Sequence, residues 1–315
     1  MFDVVLKFIM MLIVIFGSVF LGLFFKGIDR ILSAKMQRRI GPPLWQPFYD
    51  VRKLMIKESV IPKGSIKWIF ELFALVSLTA SILILFYIPI LGKSILGNSG
   101  DLVLIIYLFI FPGLSLVLGA FSSNSSYSNL GGQRLIINML GYEFPLAIIC
   151  LTPVWLVYKK GFSNIFSLNT IYEHNVWGLT SPLGIIGLLL ESIVVFFVIA
   201  GELSKTPFDI DTADSEIAGG VLAEYSGRNL AMFYMAEAVK MIALASLFIA
   251  LFFPWNIQGN FGIMFLVYLL KIFFIIFISS TLIKTVTSRF KISRLTRFYW
   301  GYLSLFAIIG FLFTL

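Results

Sequence analysis

One cysteine and one histidine are all that this chain of 315 residues offers for soft-metal coordination. Cys150 has no second thiol to pair with and His174 stands alone, so no zinc, haem or iron-sulfur site is expected within the chain. Acid is scarce as well: sixteen Asp and Glu face 24 Lys and Arg, and charged residues make up only 13% of the sequence. So few charges cannot clothe a soluble globule. What fills the space is apolar. Hydrophobic residues are 59% of the chain, mean hydropathy is +0.97, and runs long enough to cross a bilayer recur. The polar-apolar alternation of a membrane β-barrel is missing too, since 82–90 and 244–253 are apolar almost throughout. The expected fold is all-α, a polytopic transmembrane helical bundle forming a single membrane domain over residues 1–315.

Eight spans are expected: about Val4 to Phe25, Trp68 to Ile90, Leu102 to Phe121, Leu135 to Val157, Pro182 to Leu203, Asn229 to Phe253, Phe261 to Ile283, and Phe298 to the C-terminus. The first lacks a small-residue cleavage site and reads as a retained helix rather than a signal peptide. Connections one, three, five and seven hold eighteen Lys and Arg, whereas Lys7, Lys93, Lys159 and Lys160 fall toward the other side. Basic loops stay cytoplasmic, so both termini are expected outward and the odd connections inward. The net charge of +8 is thereby a topological signal, and no nucleic-acid partner is expected. No internal repeat is visible, which argues against an inverted-repeat transporter.

Two inward segments are informative. In 26–67, the run Gln37-Arg38-Arg39-Ile40-Gly41-Pro42-Pro43-Leu44-Trp45-Gln46-Pro47-Phe48 must turn at Gly41 and the paired prolines, between two basic amphipathic stretches. It is expected to lie along the inner surface, as a docking platform carried by Arg38, Arg39, Gln46 and Phe48, or as an anchor on anionic membrane lipid. The second segment, 204–228, is acidic. Seven of the sixteen acids fall between Gly201 and Lys240: Glu202, Asp209, Asp211, Asp214, Glu216, Glu224 and Glu237.

An ionisable group near the bilayer centre costs roughly 2.5–3.5 kcal/mol, so such residues face a bundle interior and mark ion pathways. Glu71, Glu143, Glu191, Glu237, Lys240 and Lys271 lie inside the expected spans. Glu143 and Glu237 each fall about 12 Å from the inner ends of their spans and Glu191 about 18 Å, with Glu202 at the mouth on the face of Glu191. They form a carboxylate file from the acidic loop to mid-membrane, with Glu143 and Glu237 expected to face one another. Lys240 and Lys271 are placed to pair with these carboxylates. The bland reading of each pair is helix packing alone, and Glu71, near a helix start, suits a dipole partner. A file that stops at mid-membrane implies a multisubunit machine.

The pattern Gly201-Glu202, Thr206-Pro207-Phe208-Asp209, Ser215-Glu216, Gly220, Glu224-Tyr225 and Met235-Ala236-Glu237 resembles the H-type membrane subunit family of respiratory complex I, together with its relatives in membrane-bound nickel-iron hydrogenases. Arg38-Arg39 with Gly41-Pro42 and Gln46-Pro47-Phe48, then Gly131-Gly132 and Gly141-Tyr142-Glu143, continue the likeness over nearly the whole chain. The resemblance implies a non-redox membrane subunit that docks hydrogenase-like large and small subunits and passes energy to antiporter-like membrane neighbours. Iron-sulfur clusters and a nickel-iron centre belong, on that likeness, to the partners. It also implies that Glu143, Glu202, Glu216, Glu224 and Glu237 serve the proton path. Thr212 stands where complex I relatives usually carry a glutamate, with Asp211 beside it as a substitute. Between Gly41-Pro42 and Gln46 only Pro43, Leu44 and Trp45 remain, shorter than quinone-using relatives and like the hydrogenase branch. The alternatives are a quinone-binding member of the same family, in a complex I-like dehydrogenase, and a stand-alone secondary ion transporter. In either case the chain is expected in the cytoplasmic membrane of a prokaryote.

Overall fold

The computed structural model describes residues 2–92, 94–97, 100–255 and 260–315. Lys93, counted above on the outward side, lies outside them. Among the described residues there is no strand, and eight helices are long and apolar enough to cross a membrane. In chain order the elements are α1 (Phe2–Met36), α2 (Gln46–Ile56), α3 (Lys67–Tyr87), α4 (Leu102–Ser122), α5 (Ser126–Lys159), α6 (Leu168–Glu173), α7 (Val176–Leu179), α8 (Pro182–Glu202), α9 (Asp214–Ile217), α10 (Gly227–Phe252), α11 (Phe261–Val286) and α12 (Ile292–Thr314).

The centre of the bundle is α10. Its most apolar stretch is 89% buried, against 22% for α1 and α11. Alanines at 231, 236, 238, 243, 245 and 250 let neighbouring helices approach it closely. α1 and α11 therefore turn their apolar faces to lipid or to other chains. α8 starts where the sequence dictates: the Ser181 hydroxyl accepts the Gly184 N–H at 3.2 Å, and Pro182 supplies a first-turn φ.

Three helices outrun their expected limits by more than a turn: α1, α5, and α12, which starts at Ile292 rather than Phe298. α1 continues past Phe25 to Met36, so the segment from residue 26 begins with about three helical turns carrying Lys26, Asp29 and Arg30. The helix ends at Met36, just before Arg38 with its φ of 55°, and each of those charged side chains finds a partner. α5 starts at Ser126 rather than Leu135. One side of its first turns packs against the acidic loop. Gly131 makes this possible: a Cβ there would sit 2.5 Å from the Val221 nitrogen and 2.9 Å from the Gly220 Cα. Gly220 itself has φ +53°, in the left-handed region, and its missing side chain leaves room for the Asp211 carbonyl.

The odd connections meet on one face of the bundle. The Ile66 N–H donates to the Ser122 carbonyl at 3.1 Å, the Val60 N–H to the Ser226 hydroxyl at 2.9 Å, and the Phe290 N–H to the Pro207 carbonyl at 3.0 Å. At the opposite face the Leu102 N–H reaches the Phe166 carbonyl at 2.8 Å, and Lys159 reaches the last residue, Leu315. Cysteines placed at Ser215 and Ser163, in a chain whose Cys150 is replaced by Ala, should be labelled by an impermeant thiol reagent from opposite sides of sealed vesicles. Labelling of both from one side would contradict the alternation of connections.

Candidate functional site

The loop after α8 is held by an aromatic anchor. Phe208 is fully buried, stacked on Tyr299 at a centroid distance of 5.1 Å and flanked by Phe290 and Phe298. Tyr299 is on the π-helical turn Phe298–Leu303 within α12, where the Ser304 hydroxyl donates to the Tyr299 carbonyl at 2.7 Å. Such widened turns are common at functional sites. With Phe208 fixed, Asp209, Asp211 and Lys205 have set positions.

Glu237 of α10 receives two ammonium groups: Lys26 of α1 donates at 2.7 Å and Lys205 of the loop at 2.5 Å. Lys240, one turn along, pairs with Glu202 at 3.3 Å and donates to its backbone carbonyl at 3.2 Å. Three lysines thus share two glutamates. Of the carboxylates Lys240 is placed to meet, it takes Glu202, whose fully buried side chain has no other cation at ion-pair distance among the described residues, while two closer cations neutralise Glu237. Burial works against the charge on Lys205, yet attraction to Glu237 and Asp29 outweighs it and holds the ammonium above its ordinary range.

The acids of the loop divide. Asp209 is gripped by Arg289, which donates from Nε at 2.9 Å and Nη2 at 2.6 Å. Glu216 meets Arg134 of α5 at 2.5 Å. Asp214 is exposed and Glu224 half-buried. Asp211 differs from all of them: it is 1% exposed, its Oδ1 has no hydrogen-bond partner, and burial pushes its carboxyl up to about 7. Hydrogen bonds from its own backbone and Ser204 oppose that shift, while the charges of Asp209 and Glu237 add to it.

A cavity of about 510 Å3 joins these groups. Of the acids and lysines singled out from the sequence, Glu202, Asp209, Asp211, Asp214, Glu237 and Lys240 line it; Glu143, Glu191, Glu216, Glu224 and Lys271 do not. Tyr142 lines the wall beside Glu143, whose own carboxyl is half-buried and acted on by Glu202 and Lys240 rather than Glu237. Among the described residues the Glu237 carboxylate is taken up by Lys26 and Lys205, and no contact joins it to Glu143. Glu191 is fully buried, accepts the Thr152 hydroxyl at 2.5 Å and keeps an unpartnered Oε2. Lys271 meets no carboxylate among the described residues. Its ammonium donates to the Phe253 carbonyl at 2.9 Å and to that of Trp255, capping the end of α10 far from the acidic loop. Glu71 is exposed on α3.

In the basic segment, Arg38 and Arg39 are exposed, Arg38 with φ 55° at the end of α1. Gln46 donates to Asp50 at 3.0 Å, and Phe48 packs on Phe20 at 5.4 Å. Sequence reasoning missed Lys26, Lys205, Arg134 and Arg289, which it had counted only as topology signals, although Lys205 sits inside the Gly201–Pro207 motif. It also missed Asp29, buried on α1 and hydrogen-bonded by Thr281 at 2.7 Å and Ser280 at 3.2 Å, both on the π-helical turn Phe277–Leu282. A helix that continues past residue 25 was the signal for it.

A family model described as NADH dehydrogenase matches residues 8–315. The chain belongs to that family. It is 32% identical over 260 residues to the H-type subunit of NADH-quinone oxidoreductase from Bacillus thuringiensis (strain Al Hakam), covering 79% of this chain and 73% of that one, and equally similar to its counterpart from Bacillus cereus (strain AH187). A chain in the solved structure of the membrane-bound sulfane sulfur reductase, an archaeal respiratory membrane complex, superposes with a TM-score of 0.85 at 28% identity, covering 98% of this chain and 99% of that one. The chain is thus a multi-pass membrane subunit of the complex I-like kind.

The buried carboxyl of Asp211 sets a pH signature. Its folded value, about 7, lies above the 3.8 of a free side chain, so the folded form holds one extra proton between these limits. The group's contribution to stability is full below the lower value and is lost as pH rises through the upper one. Relative to the parent, Asp211→Asn should gain roughly 2 kcal/mol of stability between pH 5 and 7, read by thermal unfolding in detergent. A constant difference across that window would show that Asp211 does not titrate there.

Proposed function

We propose that this subunit is the non-redox membrane part of an ion-translocating reductase of the sulfur-reductase or hydrogenase type, in the cytoplasmic membrane of a prokaryote. Its basic segment around Arg38, Arg39, Gln46 and Phe48 docks cytoplasmic hydrogenase-like large and small subunits, which carry the iron-sulfur clusters and the nickel-iron-type centre. The acidic loop faces the same side. Antiporter-like membrane subunits take up the energy and move protons or sodium.

The observation that carries this reading is the charged cavity itself. It leads from the acidic loop down to the Glu202–Lys240 pair inside the span region, in a chain that matches a sulfane sulfur reductase subunit from end to end. At about 510 Å3 it has room for on the order of fifteen waters, and its walls supply the polar partners that waters need. Asp211 exchanges protons near neutrality. Glu237, gripped by two lysines, acts as the fixed counter-charge of Lys26 and Lys205, and Glu202 with Lys240 stands next to that cluster. Carboxylates off the cavity, Glu143, Glu191, Glu216 and Glu224, take part through their fields or through neighbouring chains.

A second reading, a quinone-binding subunit, draws on the relatives named as parts of NADH-quinone oxidoreductase. Against it stand the three residues between Pro42 and Gln46, too short a chain to help wall an isoprenoid channel, and the 73% coverage of those relatives. Crosslinking of a quinone analogue to this chain, with inhibition of turnover, would decide for it.

In the assembled complex, Glu237→Gln keeps the side chain's size but removes its charge. The variant should reduce substrate with artificial donors in detergent and lose most ion pumping in sealed vesicles, whereas Glu237→Asp should retain part of it. Pumping by Glu237→Gln at the parental ratio of ions to electrons would reduce Glu237 to a packing residue.

A further inference from the structure

A second cavity, of about 210 Å3, lies between α1, α2 and α10, separated from the first by Tyr234 and Leu230, which line both. The proposed coupling path makes no use of it. Its lining holds four cations, Lys26, Arg30, Lys53 and Lys57, and one acid, Asp50. Two of the cations are matched. Arg30 reaches Asp50 at 2.7 Å, and Lys26 turns through the wall to Glu237 with its ammonium 5.0 Å from the centre of the Tyr234 ring. Lys53 and Lys57 are exposed and have no carboxylate at ion-pair distance among the described residues. They stand four residues apart at the end of α2, on one face, where like charges repel. An excess of positive charge is therefore aimed at one small concavity.

The surroundings show what kind of anion this is. α2 lies across α1, with Trp45 and Phe48 packed on Phe20, so the cavity sits where the apolar face of α1 gives way to the basic segment. Phe16, 74% exposed about one turn before Phe20, offers an apolar track leading away from the cavity toward the membrane interior. Charged groups above, apolar surface below and an aromatic at the boundary fit an amphiphile with an anionic head. A volume of about 210 Å3 accommodates a phosphate with its glycerol but not the acyl chains. We propose that this cavity binds the phosphate of an anionic membrane phospholipid, with Lys53 and Lys57 at its rim and Arg30 at its base, and the chains running along α1. A soluble phosphate shares the head-group chemistry but has no use for the apolar track.

The test uses the purified complex in neutral detergent with photoactivatable phosphatidylglycerol, phosphatidylcholine of the same chains as control, and adducts mapped by mass spectrometry. Phosphatidylglycerol should label α1 and α2 around the cavity in preference to phosphatidylcholine. With about 1 kcal/mol per surface lysine, the double variant Lys53→Gln/Lys57→Gln should weaken that labelling about thirty-fold. The charge-preserving Lys53→Arg/Lys57→Arg pair should keep it. Equal labelling by both lipids, or labelling indifferent to the glutamine variant, overturns the proposal. Displacement of the labelled lipid by millimolar inorganic phosphate overturns it in favour of a soluble anion.

Discussion

The arrangement of this molecule hangs on a carboxylate held between two ammonium groups. Glu237 joins α10, the buried axis of the bundle, to α1 through Lys26 and to the acidic loop through Lys205. At an effective dielectric constant near 20, each contact is worth roughly 6 kcal/mol of gross attraction, against a desolvation cost of several kcal/mol per ion. Two cations sharing one carboxylate recover part of that cost once rather than twice, but leave a surplus positive charge in the wall. The surplus is tolerable because the Glu237 side chain is 31% exposed toward the cavity, where water can screen it. A dry site would not keep it.

The same accounting separates the acids by role. Asp209 and Glu216 are fastened by arginines, planar donors that do not give up their charge, and their partners come from α5 and from the connection before α12. Those pairs fix the loop over the bundle. Glu202 and Asp211 are deeper, with carboxylate oxygens that lack hydrogen-bond partners. In a low-dielectric site an unmatched oxygen is expensive, and the group that can lower the cost by taking a proton is the one that can carry it. Under the proposed function, arginine-fastened acids and buried acids without an arginine thus alternate from Glu202 to Glu216.

Helix count and type were legible in the sequence, because apolar runs of bilayer length have one solution when every backbone group must be satisfied. The clustering of Glu202, Asp209, Asp211, Asp214, Glu237 and Lys240 was legible as well, since one short segment bracketed by two spans brings its ends together. What the sequence concealed were cations. Lys26 and Arg289 read as members of basic loops, and only a continuous α1 and the Phe290–Pro207 backbone contact bring them to the acids. Lys271 misled for the opposite reason: its position inside a span suggested a counter-ion, whereas a flexible four-carbon stem let it reach the carbonyls at the far end of α10. Span limits drawn from hydropathy erred at the start of α5, where Ser128 is buried and Arg134 meets Glu216 of the acidic loop.

Under the proposed function, the carboxylates form a branch point instead of a single file. From Glu202, Glu191 lies eleven residues back along α8, about 16 Å away, with Thr152 as its donor and no cation beside it. Charges so far apart do not exchange a proton directly, and Glu191 sits against Gly310 of α12, where a side chain at 310 would collide with it. Glu143 lies in the other direction, within the field of Glu202 and Lys240 but outside the cavity, and next to it Phe144 stacks on Trp300 at 5.5 Å, both aromatic rings exposed at the bundle's surface. Under the proposed function, a change of charge at Glu202 is therefore felt at Glu143 before Glu191. Glu143 is close to the lateral surface, so on that proposal the signal leaves the subunit sideways, toward a neighbour in the membrane, instead of continuing through the bundle to its far face.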